Sequence, residues 1–124
     1  MRCAVKVLWP GEVYMAWFWL FVAGIFEIAW VVALKYSDGF SKLWPSVIFG
    51  VTAWISFALL SQAIRSLPVG TSYAVWTGIG AVGVAIIGIV WFGESASPLR
   101  VFCIGLIIAG IVGLKFTAST SGVA

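Results

Sequence analysis

One carboxylate stands out because of its position in the sequence. Glu27 interrupts an apolar run from Val13 to Leu34, and it is the only acidic residue inside any long apolar run of this chain. An ionisable side chain at that depth in a membrane helix is energetically costly, so it usually marks a functional site. A carboxylate that holds a proton until an organic cation displaces it is the minimum machinery for proton–cation exchange.

Two residues on the same helical face and one in the next apolar run are candidates to act on Glu27. Gly24 and Trp30 lie one turn on either side of it. Gly24 allows close helix approach or room for a ligand. Trp30 offers an indole donor and an aromatic wall for a cation, although a packing or interfacial role fits it equally well. Ser56 is a candidate to bond Glu27, or to be satisfied by its own backbone.

The third apolar run contains most of the remaining candidates. Tyr73 and Trp76 share a helical face and are suited to form two sides of a cation box. Gly78, Gly80 and Gly83 on this run allow tight packing or a local bend. The same glycines match a dinucleotide-binding fingerprint, but no strand precedes them, so that interpretation fails.

The fourth apolar run has no acidic or aromatic-rich site. Its small residues instead suit helix–helix contact, and we predict that they mediate dimerisation: Gly105, Ala109, Gly110 and Gly113.

These side chains require membrane helices to position them. The chain is 63% hydrophobic and only 9% charged, whereas soluble domains carry about 25% charged residues. Four apolar runs of about 20 residues are each long enough to cross a hydrocarbon core of about 30 Å as helix. We therefore predict an all-α membrane protein, a four-transmembrane-helix bundle with spans near residues 15–34, 43–64, 70–93 and 99–118. Residues 15–124 form a single transmembrane domain.

The N-terminal segment needs its own interpretation. Basic residues before an apolar run imitate a signal peptide, but Glu27 interrupts that run and no convincing cleavage site follows it. We expect an uncleaved first helix. Residues 1–14 are expected to be an extension that is disordered, or that is absent from the native protein, with Met15 as an alternative start.

Several classes of protein are disfavoured. Histidine is absent, which removes the commonest metal ligand and general base. Two distant cysteines give neither a zinc site nor a disulfide framework. Scattered basic residues do not suit nucleic acid. We expect no metal, no cofactor and no enzymatic activity.

The charges flanking the spans give almost no orientation signal. One side carries Arg65 and Lys115, and the other carries Lys35, Lys42 and Arg100. Counting the N-terminal extension only reverses this small difference. We predict that the chain inserts both ways and forms an antiparallel homodimer, in which two facing Glu27 carboxyls titrate as a unit. The alternative is that this small difference in basic residues is still enough to insert every copy of the chain in one orientation.

Glu27, the Gly-Thr-Ser-Tyr-Ala-Val-Trp-Thr-Gly-Ile-Gly run and the glycine-rich fourth helix together resemble the small multidrug resistance family over residues 15–118. The Trp30-to-Lys35 stretch, Ser56 and Trp76-Thr77-Gly78 resemble its guanidinium-exporter branch. Residues 1–14 depart from the family pattern.

The resemblance implies a dual-topology antiparallel dimer in the bacterial inner membrane. Such a dimer exchanges protons for cations through one glutamate per subunit, here Glu27. The resemblance also implies that Trp30 and Ser56 tune Glu27, and that Tyr73 and Trp76 line the pocket.

The expected activity is proton-coupled export of guanidinium or small guanidinyl cations. Guanidinium donates a fork of hydrogen bonds that a carboxylate accepts bidentately. Two alternatives stay open: a broad exporter of lipophilic quaternary ammonium cations, which rely on aromatic faces, and a non-transporting partner subunit of a heterodimeric transporter.

Overall fold

The computed structural model describes the backbone of residues 10–120 and the side chains of residues 11–117. This part of the chain forms four helices: α1 Pro10–Tyr36, α2 Leu43–Ala63, α3 Val69–Val90 and α4 Pro98–Thr120. All four are long and apolar enough to cross a membrane. The predicted four-helix, multi-pass membrane architecture is confirmed.

The helix ends differ from the predicted ends by more than two residues at two places, the start of α1 and the end of α3. α1 begins at Pro10, a residue favoured at the first helical position because its missing N–H would have no partner there. Residues 10–14 are thus helical, and the rest of the predicted extension, residues 1–9, lies outside the described residues. α3 ends at Val90 because Gly93 adopts a left-handed φ of +68°. The N–H of Glu94 then donates to the C=O of Gly88 at 2.9 Å and closes the helix end.

The turn between α1 and α2 is left-handed over three residues. Asp38, Gly39 and Phe40 have φ values of +48°, +69° and +64°. The buried hydroxyl of Ser37 donates to the C=O of Leu34 at 2.7 Å and accepts the N–H of Phe40 at 3.2 Å. These bonds hold Asp38 and Phe40 in a conformation that side chains with a Cβ rarely adopt.

α1 is the central helix of the bundle. It packs against both α2 and α3, and α3 packs against α4. The buried core lies where the first three helices meet, near the end of the bundle that carries the α2–α3 loop. Its members are Ala16, Trp17, Leu20, Ala23, Ala63, Leu67, Val75 and Trp76.

α4 lies at the edge of the bundle. None of its residues in the window Pro98–Thr117 is buried. Its inner side meets α3 through Ile107 and Ile111, and the ammonium group of Lys115 lies 5.4 Å above the ring of Trp17 on α1. Most of the other described side chains of α4 are exposed.

Candidate cation and proton site

Glu27 lies deep within α1. The helix runs 17 residues before it and 9 after it, which correspond to about 25 Å and about 14 Å along the axis. The side chain is half-buried in the single chain. This position places the carboxylate inside the apolar span rather than at a membrane edge.

Trp30 and Glu27 are directly bonded. The indole Nε1–H of Trp30 donates to Oε2 of Glu27 at 2.9 Å. The ring of Trp30 in turn packs edge-on against Phe49 of α2, with centroids 5.7 Å apart and an interplanar angle of 77°. The carboxylate therefore has a donor from its own helix, and that donor is braced by a neighbouring helix.

α3 approaches α1 very closely beside Glu27. A Cβ added to Gly80 would overlap Cγ of Glu27 and lie 3.3 Å from its Cδ. One turn earlier on α1, a Cβ added to Gly24 would lie 2.6 Å from Cγ2 of Ile79. Glycine at these two positions lets the helices meet with the carboxylate between them.

The other two glycines predicted on α3 lie at separate contacts. Gly83 faces the side chain of Ile28 on α1, whereas Gly78 faces Ile111 on α4. Of the three predicted glycines, Gly80 and Gly83 therefore lie at the contact with α1, and Gly78 lies at the contact with α4. All three lie within one continuous helix.

Ser56 has a different partner from the expected one. Its buried hydroxyl donates to the C=O of Ala23 at 2.8 Å and accepts the indole N–H of Trp76 at 3.0 Å. A hydroxyl has a single proton to donate. Ser56 donates it to the backbone carbonyl one turn before Glu27 and not to the Glu27 carboxylate. Ser56 therefore joins α2 and α3 to the turn of α1 that carries Glu27.

Tyr73 and Trp76 are adjacent but differ in exposure. Their ring centroids lie 5.6 Å apart at an interplanar angle of 51°. Trp76 is only 4% exposed and belongs to the core, whereas Tyr73 is 58% exposed. Within one chain, Tyr73 offers an open aromatic face, whereas Trp76 is linked through Ser56 to the turn of α1 that precedes Glu27.

The predicted dimerisation residues lie on the open side of α4. Gly105, Ala109, Gly110 and Gly113 are all exposed. A Cβ added to any of the three glycines would meet no other described residue within 4 Å. The single chain leaves this small-residue surface uncovered.

Two aromatic residues of α2 were missed by the sequence analysis. Phe49 packs against Trp30, and Phe57 packs against Trp76 with centroids 5.5 Å apart. Phe49 could have been found from its spacing, because it lies seven residues before Ser56 and so on nearly the same helical face.

A groove of about 680 Å³ lies away from this site. Its walls include Ile25, Ala29 and Val32 of α1, Ile48 of α2 and Ile87 of α3. These α1 residues point to the side of the helix opposite Glu27. The lining is mostly apolar and its one charged residue is the cationic Lys42, which does not suit a cation, so Glu27 remains the candidate for the cation site.

Four helices long and apolar enough to span a membrane and a half-buried carboxylate between two of them define a multi-pass membrane protein with a candidate site for an organic cation. The sequence model of the family described as Small Multidrug Resistance protein matches residues 15–107. The chain belongs to this family.

The chain aligns with almost the whole length of several curated relatives. The chain is 59% identical over 104 residues to a guanidinium exporter of Salmonella typhimurium strain LT2, which is 84% of this chain and 99% of the relative. It is 57% identical over 103 residues to a guanidinium exporter of Escherichia coli K12, with coverages of 83% and 98%. A guanidinium exporter of Citrobacter freundii is 56% identical over 103 residues, with the same coverages. The relatives are named as exporters, which fits a transporter rather than an enzyme.

Proposed function

We propose that this chain exports guanidinium or small guanidinyl cations across the bacterial inner membrane in exchange for protons. Glu27 is the shared binding site of the proton and the cation. The observation that carries this proposal is the mid-helix carboxylate of Glu27 bonded by the indole of Trp30. The substrate class follows the names of relatives that are 56 to 59% identical to this chain.

The carboxylate has the chemistry that guanidinium needs. It offers about four lone-pair sites, and the indole of Trp30 uses one of them. A planar guanidinium donates two parallel N–H groups, which a carboxylate accepts bidentately. Because Gly80 has no side chain, α3 lies directly against one side of Glu27, and the cation must approach from another side.

The coupling between proton entry and cation export follows from electrostatics. A bare carboxylate in hydrocarbon is costly, and either a proton or an organic cation removes that cost. Each occupant therefore excludes the other, and the site is disfavoured when empty. If the site changes the side of the membrane to which it opens only when it is occupied, the protein exchanges protons for organic cations.

We propose that the working unit is an antiparallel homodimer. The near balance of flanking basic residues supports insertion in both orientations. The uncovered small-residue surface of α4 supports a helix–helix contact between copies. Reporters fused to the C-terminus should detect both orientations in cells, and a single orientation would contradict the dual-topology proposal.

Exposure of Tyr73 supports a second candidate substrate class. Its open ring lies beside Trp76, which in turn packs against Phe57. Aromatic faces attract cations that lack N–H donors. Lipophilic quaternary ammonium cations are therefore the alternative substrates.

Reconstituted protein can separate these possibilities. We expect a pH gradient to drive uptake of radiolabelled guanidinium into liposomes, and Glu27→Gln to abolish it. Glu12→Gln is a matched control, because Glu12 is an exposed carboxylate in the first turn of the same helix. Tetraphenylphosphonium tests the alternative class. Retained uptake by Glu27→Gln would refute the exchange mechanism, and no uptake of either cation by the wild type would favour a non-transporting subunit.

A further inference from the structure

A continuous series of aromatic contacts runs from the α1–α2 turn to Glu27. Phe40 in the turn packs edge-on against Phe49, with centroids 5.3 Å apart at 66°. Phe49 packs edge-on against Trp30, with centroids 5.7 Å apart at 77°. Trp30 then donates its indole N–H to Glu27 at 2.9 Å. The series links a loop at the membrane edge to the carboxylate in mid-span.

The first member of the series has an unfavourable backbone conformation. Phe40 has a φ of +64°, which a bulky side chain rarely adopts and glycine adopts freely. The turn is held by Ser37, which accepts the N–H of Phe40 and whose C=O accepts the N–H of Lys42 at 3.1 Å. Such strain persists only where surrounding contacts offset it, and it often marks a functional constraint. Glycine at position 40 would relieve this strain, but it would remove the contact between the rings of Phe40 and Phe49.

Phe49 lies between the rings of Phe40 and Trp30. Both contacts have the edge-to-face geometry that aromatic pairs prefer. The indole of Trp30 reaches the Glu27 carboxylate in this side-chain orientation, while rotation about χ2 of tryptophan is otherwise broad. A ring packed against the indole therefore selects the orientation that keeps the N–H on Glu27.

We propose that Phe49, braced by Phe40, is a positioning residue that holds the Trp30 indole on Glu27 and thereby sets the affinity of the site for its cation. The effect on transport rests on the function proposed above. The effect on Trp30 itself does not, because it can be observed without transport.

Phe49→Leu removes the ring and keeps an apolar side chain. We expect the Nε1–H resonance of Trp30, assigned through its loss in Trp30→Phe, to move toward its position in Glu27→Gln. We expect the KM for guanidinium to rise by about 2- to 10-fold, the range that one aromatic pair contributes, with Vmax retained. Phe49→Tyr, which keeps the ring, should rescue both readouts.

Phe40→Gly is the second variant. Glycine accepts a φ of +64° without strain, so this change removes the ring without weakening the turn. Both readouts should move in the same direction as in Phe49→Leu, by a smaller amount. Phe92→Leu is the matched control: Phe92 contacts Tyr36 and Lys35 at the same end of the bundle, and both readouts should stay at the wild-type values.

The possible outcomes are distinguishable. If Phe49→Leu and Phe40→Gly leave the Trp30 resonance and the KM unchanged while Glu27→Gln abolishes transport, the positioning proposal is overturned and the function stands. If the wild type shows no proton-driven uptake, the proposed function fails. The Trp30 resonance in the two phenylalanine variants still decides whether Phe49 positions the indole.

Discussion

Gly80 of α3 lies directly against the side chain of Glu27 of α1, with no room between them for even a methyl group. This contact fixes how closely the two helices approach at the site. It also places the half-buried side chain of Glu27 between α1 and α3.

Gly80→Ala should therefore displace the carboxylate or push α3 away. We expect overpacking to lower the free energy of unfolding by about 1–3 kcal/mol and guanidinium uptake to fall markedly, as measured by thermal denaturation and liposome uptake. Gly50→Ala is the control, because a Cβ at Gly50 meets no described residue within 4 Å and alanine favours helix. Equal behaviour of the two variants would contradict the close contact.

Trp30→Phe should weaken cation binding. It removes the N–H that Trp30 donates to Glu27, and a hydrogen bond to a charged group contributes about 1.5–3 kcal/mol. We expect the dissociation constant for guanidinium to rise by about 10- to 150-fold, measured by isothermal titration calorimetry.

The matched control for that experiment is Trp54→Phe. Trp54 is 73% exposed on α2, so we expect wild-type affinity. A comparable loss in both variants would indicate that tryptophan content, rather than the bond to Glu27, controls binding.

Ser56→Ala should destabilise the bundle. The change leaves the buried indole N–H of Trp76 without its acceptor and the C=O of Ala23 without its Ser56 donor, at a cost of about 1–3 kcal/mol. Thermal denaturation of the purified protein measures the loss. Ser61→Ala should change stability by less than about 0.5 kcal/mol, because the hydroxyl of Ser61 is exposed and bonds only within its own helix.

A double-mutant cycle tests whether Ser56 acts through Trp76. Adding Trp76→Phe to Ser56→Ala removes the orphaned donor, so the two losses should be less than additive. Strict additivity would mean that the two side chains act independently.

Affinity for guanidinium should rise with pH. In the proposed exchange, a proton bound to Glu27 excludes the cation, so lowering the pH increases the protonated fraction and weakens cation binding. For one competing proton the dissociation constant changes by up to about tenfold per pH unit. Intrinsic tryptophan fluorescence across a pH series provides the measurement, and Glu12→Gln should give the wild-type curve. A flat profile would argue against proton–cation competition.

Gly110→Leu should weaken the proposed homodimer while leaving the fold of the single chain intact. A side chain at Gly110 meets no described residue of its own chain, but in the proposed dimer it would separate two α4 helices that pack through small residues. We expect the dimer dissociation constant to rise by about tenfold or more, measured by cross-linking in detergent. Gly50→Leu is the same change on α2, and equal effects of both would contradict an α4 interface.

The sequence predicted the membrane class, the four helices and the position of Glu27 within the first of them. These features are local. A run of about 20 apolar residues must be helical in lipid because its backbone groups have no other partners, and one carboxylate within such a run is visible directly. The spacing of Glu27 and Trp30 also predicted their contact, because both lie on one helix.

The contacts between helices were decided only by the tertiary structure. Helices that are apolar on nearly every side have no polar face to indicate how they are rotated. The partner of Ser56 therefore turned out to be Ala23 and Trp76, and the brace on Trp30 turned out to be Phe49. Which glycine of α3 meets Glu27 depends on the rotation and approach of two helices, and that geometry exists only after the whole bundle has packed.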